Sequence, residues 1–404
     1  MSTPASQVRR TSLKSELEHL SPVGLKGSLE EGFGELPDPR RRPNRCTHPL
    51  LTVIGIGVLT IIAGGKGWED MELYGQCKRG WLSQVLDLSK GVPSADTFRR
   101  VFESLRAAVW EESFRRWVQG LREGAPLDVI AIDGKVLRGS YDREQETPAL
   151  HLVSAWSSEH QLVLSQEAVA EKSNEITAIP LILESLELEG TVVTLDAMGT
   201  QKTIAAQIVE GGGDYILPLK NNHPTLSDQV QTWFQTVQAY RGWPKPLHLE
   251  VESGHHRLET RQVWTFALED LPPLQDSHLW ANLASIVVVQ RQRQLWNGST
   301  TEVQFYLSSL SPDSPRLAPA IRAHWGIENS VHWVLDVNFG EDACRVRSLH
   351  ATRNLALVRR YALNILRCDT TVKGSLRQKS KRAAMDDAYM TTLITQAFPL
   401  NSAH

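Results

Sequence analysis

The chain predicts an α/β protein in which a helical N-terminal region is followed by a mixed sheet with helices between its later strands. Three observations carry that reading. Up to about residue 124, apolar residues recur at helical spacing. From Leu127 the period changes to that of strands. Beyond residue 190, strands and helices alternate.

The elements follow in order. After the polar stretch PDPRRRPNR (Pro37 to Arg45), the uncharged segment from Pro49 to Gly65 reads as a buried helix. It is shorter than the roughly 20 residues a bilayer span needs, and it carries four glycines. Phe98, Val101, Phe102 and Leu105 then fall at i, i+3, i+4 and i+7, with Ser94 or Asp96 as cap, and Phe114, Trp117, Val118 and Leu121 repeat the spacing. DVIAIDGKVL, HLVSAWSS and QLVLSQEAVA are three β-rich runs in the pattern of a meander. A helix from Glu175 to Leu188, capped by Ser173 or Asn174, leads into a buried strand TVVTLDA, a helix from Thr200 to Gly211 and a strand YILPLK. Three strands followed by strand, helix, strand is the order of an RNase H-like mixed sheet.

From Pro224 to about Ser311 that order is interrupted. VWTFAL, SIVVVQRQRQLW and TEVQFYLSSL are strand-like, and Asn297-Gly298 predicts a hairpin closed by a type I′ turn, which needs two residues tolerant of positive φ. Pro319 to Asp336 and Thr352 to Arg367 read as helices, and the tail from Thr370 is polar and basic. The expected division is a helical N-terminal domain (1–125), an RNase H-like domain (126–223 and 312–350), an inserted β-rich subdomain (224–311) and a basic helical C-terminal tail (351–404).

Composition bounds the function. The 404 residues suffice for two or three domains, and 41% hydrophobic with 22% charged residues is ordinary for a chain that buries a core. Cys46, Cys77, Cys344 and Cys368 lie far apart, so neither a zinc ribbon nor a disulfide framework is indicated, and a reducing cytoplasm is the expectation. Arg9, Arg10 and Lys14 have no apolar segment behind them, so no signal peptide is read. With 43 Lys+Arg against 46 Asp+Glu the net charge of −3 excludes only a uniformly basic protein. Between Arg345 and Arg382 stand eleven basic residues against Asp369 alone, a footprint compatible with DNA phosphates and reinforced by Arg40, Arg41, Arg42 and Arg45. A solvated basic helix is the plain alternative.

The chemistry concentrates on acids. Asp133 sits inside an apolar strand and Asp196 ends another, and a carboxylate beside a buried strand is costly unless something compensates it. Adjacent first and fourth strands would set the two side by side, and hard oxygen ligands of this kind suit Mg²⁺ or Mn²⁺. For either aspartate alone, a turn residue bonding backbone amides is the competing reading. The third acid is Glu328. His324, Glu328, His332 and Asp336 recur at i+4 steps, on one face of a continuous helix. A zinc site of histidines competes weakly there, because the HExxH order is absent; a solvated helix face is the other alternative.

These segments carry a family likeness. PDPR, PSADTFRRVF, AIDGKVLRGS, HLVSAW, EKSNEITAIP, VTLDAMGTQ, GGDYILPLKNNHP, HHRLETR and HWGIENSVHWVLDVNFGEDACRVR occur in order from about residue 30 to 370. In them the chain resembles the DDE transposases of bacterial insertion sequences, in particular the ISAs group that includes the H-repeat-associated proteins. The resemblance implies a DDE triad of Asp133, Asp196 and Glu328 that ligates two Mg²⁺ (or Mn²⁺) ions. It also implies cleavage at the ends of an insertion sequence and transfer of the freed 3′-OH into target DNA. The partners implied are double-stranded DNA, as terminal inverted repeats and as target, and a second copy in a homodimer; the place is the bacterial cytoplasm at the nucleoid, with no membrane. The chain departs from broader relatives with a Tyr-x2-Arg-x3-Glu-x6-Lys signature, since Ile321, His324 and Leu335 occupy those places; Arg322, His324 and His332 are the candidates for the missing roles. Thr200 stands where a Cys is common.

Further DNA contacts are expected from Lys135 and Arg138 after the first acid, Lys172 before a helix cap, Lys220 at the end of YILPLK, Arg257 and Arg261 on one face of HHRLETR with His255 and Glu259, and Arg345 and Arg347. For each, a solvated or capping position is the alternative. Trp264 is read as core before base stacking. A domesticated or inactive DNA-binding relative and an RNase H-like nuclease without strand transfer are the rival functions.

Overall fold

Ser21 caps the first helix, Pro22–Phe33 (α1), its side chain accepting from the Gly24 amide at 3.2 Å. The computed structural model describes residues 21–400 apart from 123–124, 143, 145, 170–173, 242–243 and 255–256. Next comes Leu50–Ile62 (α2), in which every residue but Leu51 is buried, so the uncharged segment is core. No helix among the described residues is long and apolar enough to cross a membrane. Trp68–Cys77 (α3), Ala95–Ser104 (α4) and Ala107–Leu121 (α5) follow, and Ser94 Oγ accepts from the Thr97 amide at 3.3 Å to start α4.

The sheet is built from Val129–Val136 (β1), His151–Ser157 (β2), Leu162–Ala168 (β3), Val192–Thr194 (β4), Asp214–Leu219 (β5), His248–Gly254 (β6), Arg257–Ala267 (β7), Ser285–Leu295 (β8) and Gly298–Ser308 (β9). Between its strands lie Glu175–Glu184 (α6), Lys202–Glu210 (α7) and Pro224–Arg241 (α8), and Leu317–Ile327 (α9) follows β9. The strand order is β3-β2-β1-β4-β5-β9-β8-β7-β6, with β4 parallel to both β1 and β5, and with β2–β3, β5–β9, β9–β8, β8–β7 and β7–β6 antiparallel. The fold is therefore mixed α/β around one nine-stranded mixed sheet. The strands of the segment 224–311 continue it, with β9 paired to β5 from Ile216↔Ser308 to Leu219↔Phe305.

Two local expectations fail here. Residues 224–241, read only as the start of a β-rich insert, form α8, whose Leu226, Val230 and Phe234 are buried at helical spacing. The β8–β9 hairpin forms, but Leu295 lies opposite Gly298, so Trp296 and Asn297 make the turn. Neither of them nor Gly298 has positive φ, and the type I′ turn at Asn297-Gly298 is absent.

Two compact units divide the chain: Met1–Gly124, Val136–His151 and His332–His404 form one, and Ala125–Lys135 with Leu152–Val331 the other. The first gathers the early helices with Leu349–Cys368 (α10), Leu376–Met385 (α11) and Asp387–Ala397 (α12). α10 packs on α2 and α4. Tyr361 of α10 stacks on Trp117 at 4.8 Å and meets Phe114 edge-on at 4.8 Å, while Phe33 and Phe398, from near the two chain ends, meet at 5.2 Å. The segment counted as a basic arm is thus partly interior. Arg359, Arg360 and Lys379 are buried, Arg360 bonding Glu341 Oε1 at 2.8 Å and Lys379 lying 3.2 Å from Asp369. Arg353 Nε likewise bonds Glu111 at 2.7 Å. Arg345, Arg347, Lys373, Arg377, Lys381 and Arg382 remain exposed. Arg40 belongs with the engaged group, bonding Asp38 Oδ1 through Nε at 2.8 Å and the His48 carbonyl at 2.8 Å.

In the same unit Gly139 admits no side chain. A Cβ there would collide with the carbonyl oxygens of Cys344 and Asp342, the latter at 2.7 Å, so the RGS turn and the EDAC segment lie backbone against backbone.

Candidate active site

Parallel pairing aligns the first two acids. The β1–β4 register runs Val129↔Val192, Ile130↔Val193, Ala131↔Thr194, and Asp133 and Asp196 each stand two residues beyond the last pair. Equal steps from a common register put both at the same end of neighbouring strands, on the same pleat. Asp196 Oδ1 accepts from the Gly199 amide at 2.9 Å, so its turn is held by the carboxylate itself. The buried Thr200 hydroxyl donates to the Pro218 carbonyl at 2.9 Å and ties that turn to β5.

A third acid joins them that the sequence reading passed over. Carboxylate oxygens of Asp133, Glu175 and Asp196 all lie within 4.8 Å of one another. Glu175 is the first residue of α6, buried, with Asn174 capping the helix through the Ile176 amide at 3.1 Å. It stands inside EKSNEITAIP, where the sequence marks only the start of a helix; an acid in a first turn is favourable for its own sake, so no signal in the sequence singles it out. Glu328 brings a carboxylate oxygen within 4.8 Å of one on Asp133. Burial pushes the Asp196 carboxyl above its ordinary value; the Gly199 amide opposes this and the charge of Glu175 adds to it.

Glu328 does not continue a regular helix. α9 ends at Ile327, and Glu328–His332 form a π-helical turn. Such a turn holds more residues than an α turn, so His324, Glu328, His332 and Asp336 do not share the single face their i+4 spacing suggested. His324 Nδ1 lies 3.1 Å from Thr194 Oγ1. His332 is buried and falls in the helical unit.

Asp133, Asp196, Lys220, His324, Trp325 and Glu328 line one cavity of about 470 Å³. Trp325 is 45% exposed there, with the Arg291 guanidinium 5.4 Å from its ring centroid. The donor set fits a hard divalent cation, being all carboxylate oxygen, partly open and mutually repelling without one.

The other expected contacts are dispersed. Lys135 is buried on β1. Arg257, Arg261 and Arg293 converge on the buried Glu259 at 4.0, 2.8 and 3.6 Å, and Arg261 also meets Glu250 at 3.0 Å. Arg322 of α9 reaches Glu250 at 3.2 Å and pairs with Glu252. This cationic face is therefore largely neutralised within the fold. Arg138 is exposed, 4.0 Å from Asp342, and Arg347 lies 3.7 Å from Asp142; these two and the exposed Arg345 belong to the helical unit. Lys172 and His255 fall outside the described residues. Trp264 is core, 2% exposed, with Nε1 donating to the Pro244 carbonyl at 2.8 Å.

The chain is similar to known proteins along most of its length. Residues 124–365 match the family described as Transposase DDE domain, and residues 31–118 match one described as DDE_Tnp_1-associated. "Putative transposase YncI" of Escherichia coli O157:H7 is 34% identical over 92% of this chain and 96% of its own. "H repeat-associated putative transposase YhhI" of Escherichia coli (strain K12) is 35% identical over 91% and 97%. Among solved structures, a piggyBac transposase synaptic complex with hairpin DNA aligns at a TM-score of 0.39 and 10% identity, over 94% of this chain and 79% of that one.

Proposed function

The chain belongs to the DDE transposase family, and from that premise we propose that it cleaves DNA at the ends of an insertion sequence and joins the freed 3′-OH to target DNA. The observation that carries the proposal is the meeting of Asp133 and Asp196, at equal steps past one parallel register, with Glu328. Support for an RNase H-like catalytic core comes from the order β3-β2-β1-β4-β5, with the acids at one end of its two central strands.

In this reading Asp133, Asp196, Glu328 and the additional Glu175 hold divalent metal, with Mg²⁺ or Mn²⁺ as the expected ion. Bound there, such ions would supply positive charge to the phosphate oxygens and acidify a water. Lys220, exposed at the cavity rim, offers a cation to a phosphodiester oxygen. Thr194 orients His324 toward one ring position. Cleavage exchanges the bridging P–O bond for one to water oxygen, and strand transfer exchanges a target P–O bond for one to the 3′ oxygen. No covalent bond to the protein is required. Two DNA ends call for two copies of the chain, and the exposed arginines and lysines of the helical unit supply phosphate contacts for end recognition. The reaction is placed on bacterial DNA in the cytoplasm.

The test is neutralisation of the acids one at a time. Asp133→Asn, Asp196→Asn and Glu328→Gln should each lower Mg²⁺-dependent cleavage of an end-bearing duplex by about 100-fold or more, with DNA binding in Ca²⁺ retained. Full cleavage by any one of them removes that residue from the triad.

A further inference from the structure

Beside the acid cavity lies a second, larger one of about 760 Å³, and the two share Ala197, Lys220 and Gln304. Its walls have an unusual chemistry. α8 contributes Ser227, Gln231, Gln235 and Gln238, at steps of four, four and three and hence on one helix face. Asp228 and Arg241 are the only charged residues in its eighteen. A merely solvated helix face would ordinarily carry spaced acid–base pairs.

The opposite wall is Thr301 to Phe305 of β9 together with Gln290, the first residue of the QRQRQ run of β8, a run in which strand alternation separates two chemistries. Arg291 and Arg293 turn to one face, pairing with Glu302 and Glu259. Gln290 turns to the groove, with Val303 opposite it in the register. Among the described residues, Lys220 and Glu302 are the only ionisable side chains in the groove lining. The side-chain amides of Asn221, Gln231, Gln235, Gln238 and Gln290 bond to no other described residue. Phe234, buried, and Phe305 supply apolar surface between them.

This lining is poorly suited to phosphates, which need cations, and well suited to base edges. A carboxamide offers a donor and an acceptor at fixed spacing, the pattern that pairs bidentately with adenine N6 and N7. We propose that the groove reads the edges of DNA bases next to the bond being cut or joined. A strand with a phosphate at Lys220 presents its neighbouring bases to the amide walls. The inference rests on the DNA-cleaving function proposed above and adds to it a set of specificity-determining residues: Gln235, Gln238 and Gln290.

Those bases belong either to the element's end or to the target, and one experiment separates the two. Wild-type protein, Gln235→Ala/Gln238→Ala, Gln290→Ala and Gln235→Glu are given end duplexes taken from the repeats flanking the gene. Base pairs beside the cleaved bond are replaced in turn, and insertions into a randomised plasmid are sequenced in parallel. The alanine variants should lose discrimination at one or two positions by about fivefold to about a hundredfold, with cleavage of the best duplex lowered less. Gln235→Glu should move the preference toward cytosine, whose N4 donates. A change in the end series assigns the groove to the element's end, and a change in the insertion profile assigns it to the target. Unaltered profiles in both arms with cleavage intact overturn the inference alone. Absence of cleavage by the wild-type protein overturns the proposed function and the inference with it.

Discussion

Replacing Glu175 by Gln removes one negative charge from the acid cluster while keeping the volume of the side chain. Two carboxylates 4.8 Å apart, the widest spacing within this group, repel by about 0.9 kcal/mol in water and about 3.5 kcal/mol at an effective dielectric of 20. Glu175 takes part in two such pairs. Partial solvent access to Asp133 and Asp196 holds the effect toward the lower end, and loss of an acid from the first turn of α6 subtracts about 0.3–1 kcal/mol. A net gain of about 1–3 kcal/mol is expected for the metal-free protein, or roughly 2–10 °C in Tm for a unit of this size. Metal should reverse the order. Wild-type protein gains stability with cation concentration as RT ln(1 + [M]/Kd), and the variant, one ligand short, should gain less from Mg²⁺ or Mn²⁺. The assay is thermal denaturation in EDTA and across a metal titration. An unchanged or lowered metal-free Tm, together with equal metal increments in the two proteins, would refute the assignment of Glu175 to the cluster.

Two further predictions concern the helical unit. Gly139→Ala should destabilise by about 1–3 kcal/mol, as overpacking against fixed backbone does, and lower the urea midpoint; an unmoved midpoint would mean the RGS turn can give way. Arg360 and Glu341 form a fully buried pair in which Arg360 Nε and Nη2 find no hydrogen-bond partner among the described residues. Arg360→Met or Glu341→Gln alone should cost about 3–5 kcal/mol, and Arg360→Met with Glu341→Leu much less than the sum. A double-mutant cycle in guanidinium chloride measures this, and additive losses would show that the two charges do not rely on each other.

Much of the site was legible because its acids break local rules. Asp133 follows the buried run Val129 to Ile132 and Asp196 the buried run Val192 to Leu195, and a charge in such a place advertises itself in one dimension. Glu175 does not, since an acid at the start of a helix is favourable for its own sake, and its burial is a fact of the fold. The π turn at Glu328 was illegible for a different reason: residue spacing reports the average helix, and nothing in the letters marks where a backbone bond slips by one. α8 was readable, with Leu226, Val230 and Phe234 in period, but the glutamines between them dilute the contrast that periodicity depends on. The continuation of the sheet past β5 depends on which strand edge is left open, which composition does not carry. Counting charges between Arg345 and Arg382 likewise could not tell Arg359 and Arg360, both buried, from Arg345 and Arg347, both exposed.

The aromatic core around Tyr361 bears on how the protein is made. Trp110, Phe114 and Trp117 leave the ribosome early, yet the residue that packs among them belongs to α10, which begins roughly 230 residues after α5 ends. At about 5–20 residues per second of synthesis, those rings wait on the order of 10–45 s for their partner. During that interval the nascent helices expose an apolar surface, a natural client for a chaperone. A stop codon before α10 would make the wait permanent, so a shortened copy of the gene would yield helices without their core.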